Sequence, residues 1–235
     1  MTKYDDLKGT PFEVEQGLYE KFHENGQLQI RGNYIDGERD GVWECFHENG
    51  QLVNKIEYDN GIELSETIFE YYENGQLKHR EIYEDGKRNV DREYFHENGQ
   101  LEERGNFKDG EQDGLWEYYF DNGQLKSRVN WKDSKRHGLY EKFHENGQLQ
   151  GRRNFKDDKP DGLYESFYDN GQLSIRVNFK DGKPDGHYES FYDNGQLEER
   201  GNYIDGKLDG LYEKFHENGQ LQIRGNCIDG ERDGV

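Results

Sequence analysis

Apolar and polar residues alternate along most of this chain with a period of two. Leu28, Ile30, Gly32 and Tyr34 fall on one side of one run, and Leu173, Ile175, Val177 and Phe179 repeat the arrangement far downstream. This is the pattern of a half-buried strand, and no window carries the 3.6-residue apolar period of a helix. Two kinds of punctuation break the runs. One is Asn-Gly, in the phrase N-G-Q-L, whose asparagine recurs at 25, 49, 74, 98, 122, 146, 170, 194 and 218. The steps are 24 residues long, with a single step of 25 between Asn49 and Asn74. The other is D-G-x-x-D-G, as in Asp181-Gly182-Lys183-Pro184-Asp185-Gly186. Both dipeptides tolerate the positive φ of a turn, and Asn-Gly between strands is the strongest short hairpin signal. Each unit therefore reads as strand, tight turn at Asn-Gly, longer strand, looser turn at Asp-Gly. A fixed period of this size marks a repeat array. The expected fold is all-β: an elongated, twisted, single-layer antiparallel meander of about nine hairpin units, each stable only beside its neighbours.

The face that each strand buries depends on the Asn-Gly turn. A two-residue loop places Tyr19 opposite Gly32, and Tyr212 opposite Gly225, with a large ring covering a glycine. A three-residue loop, Glu24-Asn25-Gly26 with the glycine as a bulge, instead joins Leu18 and Phe22 to Leu28 and Tyr34. The second arrangement gathers more apolar side chains on one face and is the preferred expectation. It sends the ring column Tyr19, Trp43, Trp116, Tyr140, Tyr164, Tyr188 and Tyr212 to the opposite face, with Lys21 and His23.

The array is expected to fill residues 17–235 behind a leader at 1–16, with an irregular unit around 54–92. There "NKIEYDNGIELSETIFEYY" (54–72) loses the second Asp-Gly and carries the extra residue. Then "GKRNVDR" (86–92) puts Arg92 where an aromatic is due. A bend, a bulge or a special contact is expected at that place. The last strand reads as a bare or covered edge, and weak self-association through the terminal edge strands follows as an expectation.

Composition changes the picture in two ways. Hydrophobic residues are only 30% and the net charge is −20, numbers that by themselves fit a disordered chain. Aromatic residues reach 14%, however, and there are only three prolines, which fits thin β-structure better. The negative charge disfavours nucleic acid and anionic membrane, and would steer in a basic protein partner. The opening "MTKYDDLKGTPFEVEQ" has no apolar run, so neither a signal peptide nor a membrane span is read from it, and the default location is cytoplasmic. Cys45 and Cys227 replace residues that other copies write differently, and no disulfide framework is indicated.

Units such as "DGERDGVWECFHENGQLVNKIEY" and "DGKPDGLYESFYDNGQLSIRVNF" resemble the variant class of MORN repeats, as found in bacterial proteins labelled YwqK-family antitoxins. "KRHGLYEKF" at 135–143 carries the His-Gly of the better-known MORN pattern, where other copies have Asp-Gly. The resemblance covers residues 17–234 and implies a meander of hairpins acting as a binding or scaffolding surface. The antitoxin role is implied by that label alone.

Candidate chemistry is sparse. The Asp pairs Asp36/Asp40, Asp109/Asp113, Asp157/Asp161, Asp181/Asp185, Asp205/Asp209 and Asp229/Asp233 give two carboxylates per loop, short of the six to eight oxygens calcium takes, so they read as turn formers. His23, His47, His96, His144 and His216 share one repeat column and are too far apart to converge on a metal. No nucleophile elbow or phosphate loop occurs, and an enzyme needs one non-repeating site. The expectation is a protein without catalytic residues, metal or cofactor. The ring column is the candidate partner-binding feature, set against cross-strand packing as the plainer reading. The expected function is a protein–protein interaction scaffold. The alternatives are an antitoxin or immunity protein that masks a toxin, and a glycan-binding aromatic ladder.

Overall fold

The computed structural model describes residues 15–84 and 91–233. Most of the expected leader, and residues 85–90 of the irregular unit, lie outside the described residues. The chain divides into two compact units, residues 1–93 and 94–235. The first contains β1 (Gly17–Phe22), β2 (Leu28–Ile35), β3 (Glu38–Phe46), β4 (Leu52–Asp59), β5 (Ile62–Tyr71) and β6 (Leu77–Glu84). The unit boundary falls inside β7 (Asp91–Phe95). The second contains β8 (Leu101–Lys108), β9 (Glu111–Tyr119), β10 (Leu125–Lys132), β11 (Lys135–Phe143), β12 (Leu149–Lys156), β13 (Lys159–Phe167) and β14 (Leu173–Lys180). It continues with β15 (Lys183–Phe191), β16 (Leu197–Ile204), β17 (Lys207–Leu208), β18 (Gly210–Phe215), β19 (Leu221–Ile228) and β20 (Glu231–Asp233). Among the described residues there is no helix, and the expected all-β hairpin repeat is what forms.

Each strand pairs antiparallel with the next, from β1 to β6 in the first unit. The same holds from β8 to β20 in the second, where β17 and β18 are two halves of one partner of β16. The break falls at Asp209, whose N–H bonds the Asn202 carbonyl at 2.8 Å.

The two corners exchange the roles expected of them. Asp-Gly is the tight one: Ile35 pairs directly with Glu38, leaving only Asp36 (φ 50°) and Gly37 (φ 84°) as the loop. Positive φ at both central residues is a type I′ turn, whose twist matches that of the flanking strands. Asp133-Ser134 and Asp157-Asp158 hold the same conformation without glycine. There the second side chain accepts a backbone N–H from the previous corner, Ser134 Oγ from Gln112 at 3.1 Å and Asp158 Oδ1 from Arg136 at 3.2 Å.

Asn-Gly is the wider corner. His23 N–H donates to the Gln27 carbonyl at 2.8 Å and Gly26 N–H donates to the His23 carbonyl at 2.9 Å, leaving Glu24-Asn25-Gly26 as a three-residue loop. Asn25 Oδ1 accepts the Gln27 N–H, and Asn25 Nδ2 donates to the Glu48 carbonyl of the next loop. The same pair of backbone bonds recurs at every N-G-Q-L loop through His216, whereas Asn60-Gly61 forms a tight turn like the Asp-Gly corners.

The loop is thus the preferred three-residue kind, but the faces drawn from it are wrong. Beside the loop Phe22 pairs with Leu28, as that loop dictates; the next pair is Lys21 with Ile30. Gln29 is left over as a β-bulge, which shifts the register by one and sends every later side chain to the other face. Beyond the bulge Tyr19 lies opposite Gly32, the pairing that a two-residue loop would give. The ring column therefore shares its face with Tyr34 and its equivalents, and Leu18 points away from it.

That shared face is where the core sits. Trp43 and Trp116 are 3% and 1% exposed. Each lies back over the glycine of the preceding strand: a Cβ on Gly32 would meet Trp43 Cδ2 at 2.1 Å, and one on Gly105 would meet Trp116 Cδ2 at 2.2 Å. The indole N–H groups donate to the carbonyls of Asn33 (3.2 Å) and Asn106 (3.0 Å). Trp43 also stacks on Tyr19 at 5.6 Å and meets Tyr34 edge-on at 4.9 Å; Trp116 meets Phe107 at 5.0 Å. At three tyrosines the preceding position is larger, Val129 before Tyr140, Arg153 before Tyr164 and Val177 before Tyr188, whereas Gly201 precedes Tyr212 and Leu208 fills the space beside it. Ring size and partner size trade against each other from Trp116 to Tyr188.

The irregular unit has both a bulge and a special contact. Leu64 is left over between the pairs Tyr58/Glu63 and Glu57/Ser65. In the ring column Arg92 takes the aromatic position, and Glu81 stands where other copies have glycine, valine, isoleucine or arginine. The two pair at 3.6 Å, an ion pair in place of an apolar contact. Tyr83 donates its hydroxyl to Glu81, and the buried His79 reaches Glu70 at 3.2 Å.

Candidate functional site

The seven rings singled out in the sequence are brought into columns, but as packing. Trp43 and Trp116 are sealed. Tyr19 and Tyr140 are half-buried, as are Tyr164, Tyr188 and Tyr212. Tyr140, Tyr164 and Tyr188 meet Phe155, Phe179 and Tyr203 edge-on at 6.1, 6.3 and 5.7 Å. The Arg153 guanidinium covers Tyr164 at 4.4 Å. Tyr188 and Tyr212 both donate their hydroxyls to Glu199, at 2.6 and 2.7 Å. Burial and that carboxylate push the Tyr212 hydroxyl up to about 12 and raise Tyr188 as well.

The opposite face carries a feature that the sequence reading missed. Strands β1, β11, β13 and β18 present Leu-x-Glu-x-Phe, as in Leu139-Glu141-Phe143, β3, β9 and β15 present close variants of it, and the strand between presents an arginine opposite the glutamate. In the second unit Arg104–Glu117 (2.6 Å), Arg128–Glu141, Arg152–Glu165 (2.6 Å) and Arg200–Glu213 (2.5 Å) form a ladder of ion pairs. Glu165 is also held by Arg176 at 3.0 Å, and Glu213 by Arg224 at 2.6 Å. In the first unit Arg31–Glu44 and Arg80–Glu93 do the same at 2.6 Å. The carboxylates lie underneath, Glu213 being fully buried, while the guanidiniums of Arg152, Arg176 and Arg200 stay about half exposed. Buried charge is tolerated here because each carboxylate is paired and hydrogen-bonded. Burial would raise the Glu165 carboxyl, but the hydrogen bonds from Arg152 and Arg176 outweigh it and hold the group below its ordinary range. Glu213 is lowered by Arg200 and Arg224 against its own burial. The glutamates and arginines do recur every 24 residues in the sequence, so the signal existed; only the bulged register shows that they meet.

Flanking the ladder is a row of exposed aliphatic side chains: Leu115, Leu139 (38% exposed), Leu163 (37%) and Leu211 (51%) in the second unit, and Leu18 and Val42 in the first. His187 interrupts the row between Leu163 and Leu211. A hollow opens at that place, lined by Arg176, Asn178, His187, Glu189, Arg200 and Asn202 among others.

The remaining sequence candidates tie one repeat to the next. His23 and His96 donate Nε2–H to the carbonyls of Phe46 (2.8 Å) and Tyr119 (3.2 Å). Tyr168 and Tyr192 use their hydroxyls for the equivalent bonds to Phe191 and Phe215, which is why that column accepts either ring. The first Asp of each D-G-x-x-D-G occupies the turn. The second reaches the next turn, as Asp40 Oδ1 does in accepting the Asn60 N–H at 3.4 Å. Among the described residues no three His, Cys, Asp or Glu side chains gather as a metal site, and no helix is long and apolar enough to cross a membrane. Cys45 and Cys227 are both free thiols.

Several solved structures match this chain at low identity. A mutant of S. aureus TarM in complex with fondaparinux, alpha-GlcNAc-glycerol and UDP matches 41% of this chain at 16% identity, with a TM-score of 0.28. The Photorhabdus luminescens Tc holotoxin pore matches 90% at 12% identity and 0.24, and TcdB2-TccC3 matches 92% at 12% and 0.28. The chain spans 19%, 13% and 13% of those chains respectively. No curated protein matches. The family model described as the MORN repeat variant matches nine times, at residues 15–36, 39–60, 67–85, 88–109, 112–133, 136–157, 160–181, 184–205 and 208–226. With hairpins of the matching period throughout and matches over most of its length, this chain belongs to the MORN repeat variant family.

Proposed function

We propose that the chain is a non-catalytic repeat protein that binds another protein, as an interaction scaffold. The observation that carries this reading is the row Leu115, Leu139, Leu163 and Leu211, exposed beside the ion-pair ladder. An antiparallel sheet with one packed face normally turns polar residues outward on the other, and a regular apolar row there marks a contact surface. Chemistry at one bond needs one unique constellation, whereas the features of this face recur from repeat to repeat. The glycan alternative loses its support, because the ring column is turned into the core and covers itself. An antitoxin is the narrower form of the same reading, with one toxin as the partner.

The test uses the full chain as bait in the native host's lysate, beside the Leu139→Asp/Leu163→Asp variant, with mass spectrometry as readout. A stoichiometric protein held by the parent and lost from the variant is the expected result. Toxicity of that protein when expressed alone would select the antitoxin form. Equal recovery from both baits, or no stoichiometric protein, would refute the reading.

A further inference from the structure

The chain carries 51 acidic against 31 basic residues, yet one surface presents cations outward. On the ladder face of the second unit, Arg104, Arg128, Arg152, Arg176, Arg200 and Arg224 stand in one row, with side chains from 43% to 61% exposed. Their glutamate partners are mostly underneath. Each guanidinium has five N–H donors in a planar fork; Arg152 commits Nε and Nη2 to Glu165, leaving further donors at the surface. The side chains that meet a partner first are thus guanidinium donors with leucines beside them, and donors of this shape match carboxylates.

We propose that this face binds an acidic, amphipathic helix of another protein, laid across the strands from β12 to β18, with a carboxylate seated in the His187 hollow and leucine-like side chains on Leu163 and Leu211. The inference rests on the protein-binding reading and gives the partner its chemistry. Three observations converge on this place. The hollow is lined by Arg176, Arg200, His187, Asn178 and Asn202, all able to donate, against Glu189 and Asp209 as acceptors. Leu163 and Leu211 flank it along the same row. The spacing then selects the partner's conformation. The face repeats every second strand, about 9.6 Å. Seven helical residues rise about 10.5 Å, so one helix face returns with each repeat. A bound strand would cover the same step in about three residues, an odd number that turns alternate side chains away. Net charge opposes an acidic partner at long range, but exposed charges beyond about 8 Å are largely screened at physiological salt, and contact is decided by the groups on the face.

The probe is a labelled helical peptide of three heptads with Glu and Leu at fixed heptad positions, titrated with the full chain and followed by fluorescence anisotropy. Two further peptides accompany it: one with Lys for every Glu, and one of the same composition with the heptad order scrambled. Saturable binding of the first peptide, at least tenfold tighter than either control, is expected. Leu163→Asp/Leu211→Asp and His187→Asp each alter exposed positions outside the ladder, and each should weaken it at least tenfold with circular dichroism unchanged. Equal or tighter binding of the lysine peptide, equal binding of the scrambled one, no binding, or indifference to these variants overturns the proposal. If a stoichiometric native partner is retained by both variants, the helix inference fails while the scaffold reading stands; if no such partner exists, the scaffold reading fails.

Discussion

Gly105→Val tests the packing rule directly. Gly105 has no left-handed φ to preserve, so the substitution acts through space alone. A Cβ there would lie 2.2 Å from Trp116 Cδ2 and 2.4 Å from Cε2, well inside any real carbon–carbon contact. The indole must leave its seat. Overpacking costs about 1–3 kcal/mol. Losing the bond from Nε1 to the Asn106 carbonyl adds ~1 kcal/mol, and losing the edge contact with Phe107 adds another ~1. The expected loss is about 3–5 kcal/mol, read as a fall in the urea midpoint by circular dichroism. Two further variants make the reasoning falsifiable. Gly225 has no atom within 4 Å of its would-be Cβ, so Gly225→Val should move the midpoint by no more than ~0.5 kcal/mol. Gly105→Val/Trp116→Tyr recreates the Val129 and Tyr140 combination, and should recover at least ~1.5 kcal/mol relative to the sum of the two single changes. If Gly105→Val is as harmless as Gly225→Val, or the double variant shows no coupling, size matching along the ring column is not what packs the sheet.

Acid should weaken the second unit through the ladder. The carboxyls of Glu165 and Glu213 are lowered in the folded chain, so the stability they contribute is complete above the ordinary glutamate value of 4.5 and is lost as pH falls below it. Glu165→Gln should therefore cost stability at neutral pH and progressively less in acid, measured as urea midpoints across the range. Alkali acts on the other face: Tyr212, raised to about 12, contributes stability that is complete below pH 10 and lost as pH climbs toward that value. Glu199→Gln should bring the tyrosinate absorbance titration down toward about 10. Gly37→Ala, at φ 84° in a type I′ turn, should cost about 1–2 kcal/mol by thermal melting, and a neutral result would show that the turn relaxes to another type.

The repeat, its period and its strands were legible because Asn-Gly, Asp-Gly and period-two alternation are local signals. The faces were not. Gln29 carries no mark of a bulge, yet by standing outside the ladder it inverts which residues look inward from Tyr19 to Tyr34. Without that register Glu165 and Arg176 are two charges eleven positions apart, and with it they are a hydrogen-bonded pair. The pairing of Tyr19 with Gly32 was one of two registers the sequence allowed, and the apolar count favoured the other. That count assumed that the larger apolar set must be the buried one. Here large rings over glycines form the core, and the leucines are what the sheet leaves outside.

The match between Gly32 and Trp43, and between Gly105 and Trp116, spans an Asp-Gly corner and thus the border between successive family units. If such an array grows or shrinks by recombination between near-identical copies, such as His23–Gly41 and His216–Gly234, the place of the crossover decides whether this match survives. A crossover inside an Asn-Gly loop carries each glycine along with its own tryptophan. A crossover inside an Asp-Gly corner parts them, and where the incoming copy carries Val129 or Val177 it sets tryptophan against valine. The heritable module is therefore offset by half a repeat from the sequence unit, running from one Asn-Gly loop to the next. Copy number can change freely at those loops, and surviving arrays should bear their breakpoints there.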